Sequence, residues 1–210
     1  MAEHSVPVMV YAPDRVPEFL AAVAATRVEF DYLACLWFGY ILPPPVLDLA
    51  NVAGINTHPS YLPYNRGKHG NVWAIVEGTP AGGAINYLES GIDTGAVVAR
   101  VQVQVSPDDT GRTLYDKCVA ATEDAFKQSW HKLQSGDCSA TTQSELGAGT
   151  YHNAKELARL DWLDLDASMR VGELLDLLRA RTFPPHPGVR FRRDGRTYHV
   201  RVSIEELPAE

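Results

Sequence analysis

Two apolar runs held apart by a proline triplet constrain this chain more than any other feature. Phe30 to Trp37 (FDYLACLW) is apolar enough for a buried strand. Pro43-Pro44-Pro45 then leaves room only for a short helix through Val46 to Ala50, before Val52 to Asn56 resumes as a strand. Upstream, Pro7 to Tyr11 (PVMVY) reads as a further strand. Val16 to Thr26 carries Phe19, Leu20, Val23 and Ala24 at helical spacing, with Pro17 in the first turn. This βαβαβ alternation predicts an α/β fold with a mostly parallel, largely buried sheet, helices on both faces, and ligands beyond the carboxyl ends of the strands. Chemistry is therefore expected on the loops after Trp37 and after Ile55.

Downstream, Asn71 to Glu77 reads as a helix with Asn71 as its N-cap and Gly78 as its stop, and Gly83 to Glu89 and Val97 to Val105 read as strands. A longer helix spans about Thr113 to Leu133, with Leu114, Cys118, Ala121, Ala125 and Leu133 near one stripe. The expected division is a first domain over 1–135, a small, polar connector over 136–152 and an α+β appendage over 153–210. The appendage would hold an apolar stripe of Val171, Leu174, Leu175 and Leu178, and a hairpin from Phe191 to Ser203 turning at Asp194-Gly195.

The chain has 210 residues with Lys+Arg 19 against Asp+Glu 26, a net charge of −7, which disfavours nucleic acid as a partner. Charge is uneven, however. Seven Arg and one Asp between Arg179 and Arg201 make a local excess of +6, read either as a solvated face paired with acids elsewhere or as a site for a phosphorylated substrate. Cys35, Cys118 and Cys138 are odd in number and widely spaced, which fits neither a disulfide framework nor zinc and suits a reducing compartment. The start lacks a signal-peptide pattern and no run reaches the roughly 18 apolar residues of a membrane span, so a cytoplasmic protein without a membrane partner is expected.

The densest polar segment is Gly54 to Ile75, just past a buried strand and stiffened by Pro59 and Pro63. Asn56 and His58 are two apart and share one face of an extended segment, so an amide donor and an imidazole can converge on a developing oxyanion. The alternative is a loop-capping Asn with a hydrogen-bonded His. A second loop, Leu88 to Gly95, places Asp93 between glycines, where it can orient a His or simply make an Asx-turn. Ser60 lacks a nucleophile elbow, His58 and His69 lack metal-ligand spacing, and no Gly-rich phosphate loop is present near the start, so neither a serine hydrolase nor a metal site is expected.

Taken in order, FGYILP at Phe38 to Pro43, INTHPSYLPYNRG at Ile55 to Gly67 and GIDTG at Gly91 to Gly95 resemble the folate-dependent formyltransferase family. The tail LRARTFPPHPG at Leu177 to Gly188 is similar to the sugar N-formyltransferases. The resemblance implies a formyltransferase-type, Rossmann-like fold and transfer of a formyl group from 10-formyltetrahydrofolate to a primary amine, without a metal. It makes Asn56, His58 and Asp93 the catalytic residues. It also places the pterin ring against the backbone of Tyr40, Ile41 and Leu42 and of Glu89, Gly91 and Ile92, with Phe38 and Leu88 as apolar walls. Members usually begin with a further βαβα stretch, and many carry a Thr-x-His where this chain has Ala84, Ile85 and Asn86.

The implied acceptor is a nucleotide-linked amino sugar, with Arg66, Lys68, Arg192 and Arg193 as diphosphate partners. A tRNA acceptor is disfavoured by the net negative charge. The resemblance also implies a homodimer. Hydrolysis of the same donor by water, and a folate-fold protein that binds without turnover, are the alternatives.

Overall fold

The computed structural model of the protein describes residues 8–208. The chain runs α1 (Val16–Ala25), β1 (Phe30–Cys35), α2 (Pro44–Leu47), β2 (Ala50–His58), β3 (Arg66–Gly67), α3 (Gly70–Glu77), β4 (Ala81–Tyr87) and β5 (Val97–Val103). It continues through α4 (Gly111–Gln134), α5 (Gln143–Leu146), β6 (Tyr151–His152), a 3₁₀ segment (Ala154–Leu160), α6 (Val171–Ala180), β7 (Val189–Arg193) and β8 (Arg196–Val200). The main sheet has the order β1-β2-β4-β5, β3 pairs with β6, and β7 and β8 form the C-terminal hairpin. The α/β class and the hairpin are as expected.

Alternation along β4 sends its side chains to two sides. Ile85 packs with Ile55 of β2 and with Ala125 and Leu133 of α4, while Ala84 packs with Leu62, Val97 and Leu146 of α5. The stripe expected on the long helix, from Leu114 to Leu133, is buried throughout. A third cluster joins α3, β4, α4 and α6 through Val72, Ile75, Ala81, Leu114 and Ala180. The C-terminal helix is thus docked on the body of the sheet domain.

One polar anchor ties α4 to α6. The Asp109 carboxylate, on the turn before α4, accepts from the Ser106 N–H at 2.7 Å, Thr113 Oγ1 at 3.0 Å and Lys117 Nζ at 2.8 Å. Arg179 of α6 donates to the carbonyls of Ser106 and Asp109. Burial pushes the Asp109 carboxyl up, but these donors outweigh it and hold the group below its usual range. A carboxyl with a depressed folded pKa adds stability above its unfolded pKa, and that stability is lost as pH falls through the folded value. Asp109→Asn is expected to cost about 1–3 kcal/mol at pH 7. Urea unfolding across pH should show the gap from wild type closing below the unfolded value of about 4.

The structure departs from the expectations in several places, and β1, read as a buried strand, has only Cys35 buried, because it forms the edge of the main sheet. Two of the three pairings in the main sheet are antiparallel, because β4 re-enters beside the end at which β2 leaves, pairing His58 with Ala84 and Ile55 with Tyr87. Residues 8–11 are not in a strand, and Pro7 lies outside the described residues. Asn71 does not cap α3. His69 takes that position with φ of 61°, and Asn71 instead sends its amide across to the Gly111 carbonyl at 2.6 Å. The apolar stripe of α6 is largely uncovered, with Val171 and Leu175 exposed.

Candidate active site

β2 delivers Asn56 and His58, and the loop after β4 delivers Asp93. Asn56 Nδ2 donates to Asp93 Oδ1 at 3.1 Å and, over a longer 3.4 Å, to Oδ1 of Asn86. Asn86 faces Asn56 in register across β2 and β4. His58 Nδ1 lies 3.5 Å from Asp93 Oδ2, and Nε2 lies 3.1 Å from the Asn65 carbonyl oxygen. A carbonyl only accepts, so Nε2 carries a hydrogen, and Nδ1 is the ring nitrogen that faces Asp93. The His58 and Asp93 side chains are 9% and 15% exposed, so the pair lies in a poorly solvated setting that strengthens its electrostatics.

Asp93 is held at several points. Its Oδ2 accepts from the Gly67 N–H at 3.0 Å, and its own carbonyl accepts from Gln143 Nε2 at 2.6 Å. Two glycines permit this closeness. A Cβ on Gly67, which has φ of 91°, would lie 2.2 Å from the His152 carbonyl, and a Cβ on Gly95 would lie 1.9 Å from the Tyr87 carbonyl. Trp37, Asn65, His69 and Asp93 all adopt left-handed backbone at φ between 53° and 61°. Such conformations are uncommon for residues with a side chain and gather where function fixes the backbone.

Asn56, His58 and Asp93 open on one cavity of about 970 Å³. Phe38, Tyr40, Ile41, Leu42, Leu88, Glu89, Gly91 and Ile92 all line it. Trp37, Tyr40, Ile41 and Ile92 present large apolar surface there without covering, and Tyr11 packs edge-on against Phe38 at 5.5 Å from behind. A flat heterocycle fits such an apolar wall. The cavity is also lined by Lys68, His69, Asp161, Arg181 and Arg190 together with Tyr115 and Phe183. Burial first, then the charges of Arg181 and Lys68, pushes His69 below the usual imidazole range. Burial pushes the Cys35 thiol, also on the wall, up to about 11, which leaves it a poor nucleophile near neutrality.

The four basic residues singled out from the sequence separate. Lys68 reaches the cavity, whereas Arg66 lies off it with Nε directed at the Thr150 carbonyl, 3.4 Å away. Arg192 and Arg193 lie in a separate surface depression with Trp162 and Asp164 to Asp166, where the Arg192 guanidinium sits over the Trp162 ring at 4.9 Å. Arg190, two residues earlier on β7, is the hairpin arginine that borders the cavity. Much of the basic cluster is engaged internally. Arg179 pairs with Asp176, and Arg181 and Arg190 both pair with Asp161. Sequence reasoning missed Asn65, Gly67, Gln143 and Thr150. Asn65 and Gly67 left local signals, as residues tolerant of positive φ on either side of Arg66.

The formyl transferase family model matches residues 10–129, and the model of the N-formyltransferase dimerization C-terminal domain matches residues 156–206. A methionyl-tRNA formyltransferase from Desulfotalea psychrophila is 34% identical over 178 residues, covering 84% of this chain and 53% of that protein. The chain spans between 53% and 64% of the length of such curated relatives. Among solved structures, a sugar N-formyltransferase from Shewanella sp FDAARGOS_354 superposes with a TM-score of 0.80 at 24% identity, over 92% of this chain and 76% of that one. The formyltransferase PseJ from Anoxybacillus kamchatkensis, in complex with UDP-4,6-dideoxy-4-formamido-L-AltNAc and tetrahydrofolate, matches at 31% identity and a TM-score of 0.57, over 61% of this chain and 67% of that one. With a family model matching more than half its length and the same fold in these structures, the chain belongs to the formyl transferase family.

Proposed function

We propose that this protein transfers a formyl group from 10-formyltetrahydrofolate to the primary amine of a nucleotide-linked amino sugar. The observation that carries this reading is the meeting of Asn56, His58 and Asp93 on one cavity lined by both apolar and basic side chains. The donor supplies an electrophilic formyl carbon. Asn56 redirects the longer of its two hydrogen bonds, the one to Asn86, toward negative charge developing on the formyl oxygen. The Asp93 carboxylate takes a proton from the attacking amine, the neighbouring His58 shares it, and the proton passes to N10 of the leaving tetrahydrofolate as the formyl C–N10 bond breaks, a sequence that needs no covalent enzyme intermediate. Phe38, Tyr40, Ile41, Leu42, Leu88, Glu89, Gly91 and Ile92 hold the pterin, and Lys68 and Arg190 stand nearest an acceptor diphosphate.

We divide the chain into a catalytic part over 1–135, a connector over 136–152 and an appendage over 153–210. The appendage carries the match to a dimerization domain, and its uncovered Trp162, Leu165, Met169, Val171 and Leu175 support a homodimer formed through it. The cysteine pattern supports a cytoplasmic setting, and among the described residues no helix is long and apolar enough to cross a membrane. The curated relatives favour a second acceptor, methionyl-tRNA, against which stands the net charge of −7. Mass spectrometry after incubation with 10-formyltetrahydrofolate decides between them, with nucleotide-linked amino sugars, methionyl-tRNA and no amine as parallel arms. A formylated sugar supports the proposal, and formylation of tRNA alone replaces the acceptor. Donor consumption without any amine turns the reading to hydrolysis.

A further inference from the structure

Gln143 lies far in sequence from the catalytic motifs, in a stretch whose composition suggests only a polar link. It is 7% exposed. Its Nε2 donates to the Asp93 carbonyl at 2.6 Å and to the Gly95 carbonyl at 3.0 Å, the two acceptors that fix its amide orientation. Oε1 is buried without a partner among the described residues, so the position retains a polar side chain at a desolvation cost and uses only its donors. Those donors grip the one loop of the site whose catalytic residue sits at positive φ.

The rest of the connector supports the same geometry. Thr141 exchanges two backbone hydrogen bonds with Val97, at 2.8 and 2.9 Å, which anchors α5 beside the start of β5. The side chains of Thr142 and Glu145 form a capping box at the start of α5, fixing Gln143 as its first residue. Further on, Thr150 Oγ1 accepts from the Asn65 N–H at 2.8 Å and donates to Asn65 Oδ1 at 3.2 Å, and Asn65 supplies the carbonyl that receives His58 Nε2–H. The Lys68 N–H donates to the His152 carbonyl, which holds the β3 strand that aims the Gly67 N–H at Asp93. Residues 141–152 therefore hold both partners of the His58–Asp93 pair, one by each end.

We propose that Gln143 is a positioning residue for Asp93, setting the carboxylate toward His58 and Asn56 through the backbone of the 91–95 loop. The inference rests on the formyl-transfer reading for its kinetic arm alone. Without the two amide hydrogen bonds the loop relaxes from its left-handed turn at Asp93 and the carboxylate drifts. A displacement of order 1 Å at a reacting group costs about a hundredfold in turnover.

Gln143→Met keeps the length and shape of the side chain and removes both donors. It is expected to retain its fold by near-ultraviolet circular dichroism and to bind tetrahydrofolate within about twofold of wild type, while kcat falls by about a hundredfold and KM changes little. Gln143→Asn, with the amide kept on a shorter arm, should recover part of that loss. Ring 15N NMR of His58 gives a readout independent of turnover. The Nδ1 signal, set by Asp93 beside it, should move in Gln143→Met and stay in place in Val28→Ala, an exposed control. Should Gln143→Met not fold, Thr150→Val carries the test through the other end of the connector, with the Nε2 signal as its readout. A wild-type kcat together with unmoved His58 signals overturns the proposal. An inactive wild type with a shifted His58 signal in the variant overturns the formyl-transfer reading and leaves the positioning role standing.

Discussion

His58→Ala is expected to lower kcat for formyl transfer by a hundredfold or more, in the range seen when a preorganised polar group is removed from an acyl-transfer site. The argument lies in the geometry. The His58 ring spans from the Asn65 carbonyl to the Asp93 carboxylate, so its loss removes the imidazole beside Asp93 and leaves that carboxylate facing a poorly solvated space. Asn56→Ala should act as strongly, because Asn56 Nδ2 is both the donor to Asp93 Oδ1 and the candidate oxyanion donor. Neither side chain is on the apolar rim, so tetrahydrofolate affinity measured by calorimetry should stay within about threefold, less than 1 kcal/mol. Near-normal turnover in both variants would remove this constellation from the mechanism.

Asp161→Ala is expected to destabilise the fold by about 2–3 kcal/mol, toward the lower end for a pair broken on one side because the groups are only partly buried. Asp161 Oδ1 accepts from Arg181 at 2.5 Å and Oδ2 from Arg190 at 2.6 Å, joining the end of α6 to the first strand of the hairpin. The backbone reinforces the junction, with the Arg190 N–H on the Asp161 carbonyl and the Leu163 N–H on the Arg190 carbonyl. Arg190 also lies over the Trp162 ring at 4.7 Å. Removing the carboxylate leaves two guanidiniums at the cavity wall without a counter-charge, Arg181 being 14% exposed. Urea unfolding followed by tryptophan fluorescence checks it, and Asp161→Asn should lose less, because an amide oxygen can still accept from one arginine. Unchanged stability in Asp161→Ala would mean that solvent satisfies both arginines.

The elements that were legible in the sequence are those whose signal is local. The stripe from Leu114 to Leu133 repeats at helical spacing and is buried as that spacing requires. Asn56 and His58, two apart on a strand, do meet in one cavity, and Gly91 to Gly95 does carry an acid beside them. The direction of β4 was not legible. A strand after a helix suggests a parallel crossover, but α3 packs with α4 and α6, and the chain re-enters the sheet next to its point of exit. The basic cluster was legible only as two alternatives, a face paired with acids elsewhere or a phosphate site, because composition counts charges, whereas the pairing of Arg181 and Arg190 with Asp161 depends on the docking of the hairpin.

The sequence by itself determined the α/β class, the helical and strand periodicities and the residue types of the site, because hydrophobic spacing and short motifs act over a few residues. Only the tertiary structure decided that Gly67, Asn65, Gln143 and Thr150 would hold that site. Their contributions are backbone groups and single amide or hydroxyl hydrogen bonds across separations of up to 85 residues, and no local pattern encodes a partner that distant.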